Sequence, residues 1–89
     1  VEFEYDETKS QSNLEKHGID FKEAREIWDA PVLEIGRAIR QDEERITIVG
    51  NFKGDAFTVV YTWRGENIRI ISARRAHRTE RAARDNAIR

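Results

Sequence analysis

The sequence predicts an α+β domain: one small antiparallel sheet, two helices near the N-terminus and a third at the C-terminus, in the order β-α-α-β-β-β-β-α. Three observations carry this. Apolar residues recur at helical spacing before Pro31, and the period switches to two between Val32 and Ala73. The connections between the later runs are short, and short connections join antiparallel neighbours because parallel strands need a long crossover.

Val1–Tyr5 alternates Val, Glu, Phe, Glu and Tyr, the pattern of a half-buried strand. Asp6 suits the N-cap of a helix running to about His17, and Gly18 is the expected residue just past its end. Asp20 opens a second helix, with Glu23 at capping-box spacing. Phe21, Ala24, Ile27 and Trp28 share one face of it, and Pro31 ends it. Val32, Leu33 and Ile35 suggest a short strand; Arg45–Val49, Ala56–Thr62 and Ile68–Ala73 suggest three more. Turns are expected within Gly50–Asp55 and Arg64–Asn67. Val59-Val60-Tyr61 and Ile70-Ile71 carry apolar groups on both faces, which places their strands centrally. From about His77 the chain reads as helix, with Ala76, Ala82, Ala83, Ala87 and Ile88 available for burial. At ~25 cal/mol per Å² of apolar area alanines contribute little, so this helix is expected to dock weakly.

With 89 residues the chain is one domain's worth. Hydrophobic residues make up 38% and charged residues 37%, but the apolar ones come in organised runs, unlike a disordered chain. The absence of cysteine excludes a disulfide scaffold, a thiolate nucleophile and cysteine zinc sites. Two histidines are too few for an imidazole metal cluster, while carboxylate-bound Mg²⁺ stays open. No apolar stretch approaches the ~20 residues that span a bilayer, and no signal peptide is visible. The expectation is a soluble cytoplasmic domain with no membrane contact. The net charge of −1 conceals an asymmetry, −6 over residues 1–35 and +5 over residues 36–89. A neutral protein with a basic end can bind a polyanion locally.

Several strings are familiar together: Phe3-Glu4-Tyr5-Asp6-Glu7; Asn13-Leu14-Glu15-Lys16-His17-Gly18-Ile19-Asp20-Phe21; Trp28-Asp29-Ala30-Pro31; Glu43-Glu44-Arg45; and Ile68-Arg69-Ile70-Ile71-Ser72-Ala73-Arg74-Arg75-Ala76. In order and spacing they resemble the BrnT family of bacterial toxins, from Val1 to about Glu80. The resemblance implies a RelE-like fold over one domain, residues 1–89, and an endoribonuclease that arrests translation. It also implies a ribbon-helix-helix antitoxin of the BrnA type, which blocks the toxin and with it represses the operon, so operator DNA is reached only through the antitoxin. Where the family often carries an acidic residue and then His, this chain reads Gly36-Arg37-Ala38-Ile39-Arg40. Arg84 stands near where an aromatic is common. Those departures motivate an alternative, a catalytically degenerate module that acts as an antitoxin-bound corepressor.

RNA can be cut without metal or cofactor, because its own 2′-OH attacks the neighbouring phosphorus. The protein must take that proton, stabilise charge at phosphorus and protonate the departing 5′ oxygen. Imidazole titrates near neutral pH, so His17 is the first candidate for proton transfer; its bland role is to close a helix C-terminus. Lys16 beside it is a phosphate contact or a helix-end cation. Arg45 suits phosphate through its planar fork, with Glu44 orienting it or acting as base; a structural ion pair is the alternative for both. Arg74 joins the catalytic candidates, and Arg69, Arg75 and Arg78 the RNA contacts. In a regular strand Arg69, Ile71, Ala73 and Arg75 would share one face, and Ser72 and Arg74 the other. Trp63 is the one aromatic expected to offer a stacking platform for a base.

Overall fold

Asp6 starts the first helix in the computed structural model, which describes residues 1–88. Its carboxylate accepts the Lys9 amide at 3.0 Å, and helix α1 runs over Glu7–His17. Gly18 stops it at φ +76°, the left-handed conformation that glycine adopts without a Cβ penalty. Asp20 and Glu23 form the expected capping box at the head of α2, Phe21–Ala24. The expected single second helix is two pieces, because Arg25–Asp29 continues as a 3₁₀ turn before Pro31.

The sheet has five strands: β1 Phe3–Glu4, β2 Leu33–Arg40, β3 Glu43–Phe52, β4 Asp55–Arg64 and β5 Asn67–Arg75. Their order is β1-β5-β4-β3-β2, so β4 lies at the centre, as its two apolar faces imply. The α+β class and the element order agree with the sequence, with three corrections. β1 spans two residues and pairs parallel to β5, so the sheet is antiparallel except at that edge. β2 reaches Arg40, five residues beyond Ile35. A turn at Gln41-Asp42 lies outside the two expected, and the one within Gly50–Asp55 narrows to Lys53-Gly54; both pairs sit wholly at positive φ, as in the type I′ geometry that matches strand twist.

Helices α1 and α2 and the 3₁₀ turn cover one face. Ile19, Phe21, Ala24 and Ile27 pack there on Ile46, Ile48, Val59, Tyr61, Ile70 and Ala73, all buried. The inward face of α1 itself is polar, its buried residues being Ser10 and Asn13. Ser10 Oγ accepts the Phe21 amide at 2.9 Å, and Asn13 Nδ2 donates to the Ile19 and Ala73 carbonyls at 2.8 Å each.

Helix α3, Arg78–Ile88, lies on the opposite face, near a small cluster of Val49, Ala56 and Ala76. Ala76 is buried as expected, but Ala82, Ala83 and Ala87 are exposed; the Ile88 side chain and Arg89 lie outside the described residues. Polar bonds hold the helix instead. Glu80 accepts from both Arg74 guanidinium nitrogens at 2.8 and 2.9 Å and from Thr58 Oγ1 at 2.9 Å. Arg84, itself buried, donates to the Pro31 carbonyl at 3.2 Å. No helix is long and apolar enough to cross a membrane among the described residues.

Candidate active site on the open sheet face

Strand alternation decides which side chains meet on the face that α1 and α2 leave uncovered. On β3, Ile46 and Ile48 point into the core, so Glu43, Arg45 and Thr47 point the other way. Register then adds Ala38 and Arg40 from β2 and Val60, Thr62 and Arg64 from β4. On β5 a bulge at Ile71 changes the phase: Ile70 pairs with Tyr61 but Ser72 with Val60. Arg69, Ser72 and Arg74 therefore share the open face, while Ala73 and Arg75 turn to the core side. This corrects the regular alternation expected for that strand.

Three depressions meet at Ile71. The largest of the three, about 430 Å³, is lined by Gly36, Arg37, Ala38, Arg40, Arg45, Thr47, Val60 and Ser72 as well as Ile71. The second, about 250 Å³, lies among Lys9, Gln41, Glu43, Arg45, Arg64 and Arg69. The third, about 230 Å³, runs beside α1 past Lys9, Ser12, Lys16 and His17. Arg45 and Ile71 are common to the first two, and Lys9 and Ile71 to the last two. The three adjoin around Ile71 as one grooved surface, and the cations lining them come from α1, β2, β3, β4 and β5. No three His, Asp or Glu side chains converge into a metal-ligand set among the described residues.

The expected site residues divide by position. Arg45, Arg69, Lys16 and His17 line the groove. Arg45 makes one long ion pair and no hydrogen bond through its buried Nε, which lies 3.4 Å from Glu43 Oε1. Arg69 shares Glu4 at 3.3 Å. Glu44 is on the other face, beside Ile46 in phase, and binds Arg37 at 2.7 Å. That Arg37 also grips Glu34 through two bonds, and the grip holds the Glu34 carboxyl below and the guanidinium above their ordinary ranges. Burial, reinforced by Glu34, pushes the nearby Tyr61 phenol up.

Arg74 is on the open face but spent on Glu80. Its bidentate bond, helped by the His77 amide, holds the Glu80 carboxyl down at about 2 and raises Arg74 in turn. Arg75 pairs with Asp55 at 3.1 Å and stacks over the Phe57 ring on the helix side, away from the groove. Arg78 is exposed at the start of α3, at the far end of β5 from Arg69. Trp63 is also on the helix side, its ring 6.1 Å from that of Tyr61, so it offers no platform in the groove.

Sequence reasoning missed Lys9, Arg40, Glu43 and Arg64 as lining of these depressions. The signal for Glu43 was available: it stands two residues from Arg45, hence on the same face, whereas its neighbour Glu44 shares the phase of Ile46.

A family model described as the ribonuclease toxin BrnT of a type II toxin–antitoxin system matches residues 5–80 of the chain. A search of the curated proteins finds no match.

Proposed function

The chain belongs to the BrnT family of ribonuclease toxins of type II toxin–antitoxin systems, and from that premise we propose that it is a metal-independent endoribonuclease cutting RNA in the groove around Arg45 and Ile71. The observation that carries this reading is the convergence of three depressions at Ile71, with Lys9, Lys16, Arg40, Arg45, Arg64 and Arg69 around them. Guanidinium groups from separate strands match the spread oxygens of a phosphodiester and the extra charge of its transition state. Arg45 is the principal phosphate contact, Arg69 and Lys16 bind neighbouring phosphates, and His17 handles a proton at the α1 end. The nucleophile comes from the RNA, so no cofactor enters. Cleavage arrests translation in the cytoplasm. A BrnA-type ribbon-helix-helix antitoxin neutralises the single toxin domain and brings it to operator DNA.

Induction of the chain alone in a bacterial host is expected to stop growth, and co-expression of the neighbouring open reading frame to restore it. RNA ends mapped during arrest should show new cuts that vanish in Arg45→Ala. Arrest that persists undiminished in Arg45→Ala would remove the groove from the reading.

One observation favours the second reading, a degenerate corepressor. Two of the four expected catalytic side chains are committed to ion pairs, Glu44 with Arg37 and Arg74 with Glu80. On that reading the chain co-purifies with its antitoxin and growth continues when it is expressed alone.

A further inference from the structure

Resting on the ribonuclease reading, the geometry points to the depression between Arg45, Arg64 and Arg69 as the seat of the scissile phosphate, with Glu43 as the general base that takes the proton of the attacking 2′-OH. Glu43 is the first residue of β3, just after the tight Gln41-Asp42 turn, and it points into that depression. Oε1 lies 3.4 Å from Arg45 Nε and Oε2 lies 3.6 Å from an Arg64 guanidinium nitrogen. Both are ion pairs but neither is a hydrogen bond, since Arg45 Nε has no hydrogen-bond partner and the Arg64 contact is too long for one, so lone pairs of the carboxylate are open to a substrate hydroxyl.

The other carboxylates nearby are committed. Asp6 caps α1 through the Lys9 amide, a bond that holds its carboxyl below the usual range. Glu4 accepts from Arg69 at 3.3 Å and from Asn67 at 3.5 Å. The Arg45 Nε is buried without a hydrogen bond and faces Glu43 at 3.4 Å, so an arriving phosphate oxygen finds there a donor that Glu43 does not satisfy.

In the step, the O2′–H bond breaks and its proton passes to Glu43 while O2′ bonds to phosphorus. The P–O5′ bond breaks, and O5′ takes a proton from water or an imidazolium in the groove. The products are a 2′,3′-cyclic phosphate and a 5′-hydroxyl, and the three guanidinium groups hold the phosphoryl oxygens as charge grows. The groups that face Glu43 are Asp6 at the head of α1, Lys9 from α1, Arg40 opposite it on β2, Arg45 on its own strand, Arg64 from β4 and Arg69 from β5.

The test uses the full chain on a single-stranded RNA oligonucleotide, with the 2′-deoxy oligonucleotide as an uncleavable binding probe. Glu43→Gln should lower kcat by roughly 10²–10⁴-fold, the range for general acid–base catalysis, with KM little changed. It should also abolish the acid limb of the pH–rate profile and bind the deoxy probe at least as tightly as wild type. Glu43→Asp should keep the acid limb at a reduced rate. A Glu43→Gln enzyme with normal kcat and an intact acid limb, or one impaired only in KM, overturns the assignment. If Arg45→Ala is inactive while Glu43→Gln is not, Glu43 is dismissed and the groove reading stands. If the wild-type chain does not cleave RNA, the ribonuclease reading fails and takes this proposal with it.

Discussion

The carboxamide of Asn13 pairs with both backbone groups of Ala73, its Nδ2 donating to the carbonyl at 2.8 Å and its Oδ1 accepting the amide at 3.3 Å. β1 covers β5 only at Ile68 and Arg69, so farther along this one side chain stands where a strand would. It also fastens the two sequence strings that best mark the family. Asn13→Ala leaves the Ala73 amide and the Ala73 and Ile19 carbonyls short of partners. At about 1–3 kcal/mol for each buried group left unsatisfied, we expect a loss of about 3 kcal/mol or more in urea denaturation. Asn13→Asp should be at least as damaging, because it sets a carboxylate against two carbonyls that Nδ2 now serves. An aspartate variant as stable as wild type would contradict this account.

Glu80 is the fastener of α3, and its acid sensitivity has a definite sign. The folded-state value of about 2 lies below the ordinary 4.5, so its contribution is fully present above 4.5 and is lost as pH falls through about 2. The protection of α3 amides relative to their intrinsic exchange rate at each pH should therefore fall across that window while the β4 core stays protected. Glu80→Gln should remove this dependence. Glu80→Ala should raise α3 exchange at neutral pH by about tenfold or more, since hydrogen bonds to charged groups contribute roughly 1.5–3 kcal/mol. Unchanged α3 exchange in Glu80→Ala would mean that the helix is held elsewhere.

What the sequence conceals has physical causes. Asp6, Gly18, Asp20 and Glu23 act within a few residues of themselves, so the helix ends could be read directly. β4 could be placed because its two apolar faces leave it no other position. β2 ran past the reading because Gly36–Arg40 forms an edge strand exposed on both faces, where nothing enforces alternation. The Gln41-Asp42 turn also lacks the Asn-Gly chemistry that usually marks its type. The inward face of α1 is polar and left no apolar stripe. In the site, Arg45, Arg69, Lys16 and His17 were recognisable by residue type, but one extra residue at Ile71 decided which arginines share a face. Such a bulge is invisible until the partner strand is known.

Gly50 is a position of close approach. A Cβ built there would overlap Ile27 Cγ2 and lie 2.9 Å from Val32 Cγ1. Ile27 is fully buried and has nowhere to retreat. Gly50→Ala should cost about 1–3 kcal/mol, the usual penalty of overpacking, seen as a lower denaturation midpoint at unchanged slope. A neutral effect would show that the 3₁₀ turn carrying Ile27 can slide away from the sheet.

The two faces of the sheet make opposite predictions for RNA binding. Each phosphate contact on a single strand releases counterions, which gives a slope of about −0.7 in log affinity against log salt. Lys16→Gln, Arg45→Gln and Arg69→Gln should each weaken binding of a 2′-deoxy oligonucleotide and make the slope shallower by about 0.7. Arg75→Gln removes the same charge, but from the helix side, where Arg75 pairs with Asp55 and lies over Phe57. Its slope should match wild type. The comparison separates contact from general electrostatics, because a diffuse attraction would respond to all four changes alike. If Arg75→Gln flattened the slope as much as Arg45→Gln, the strand would have to cross the helix side, and the groove at Ile71 would not be the binding surface.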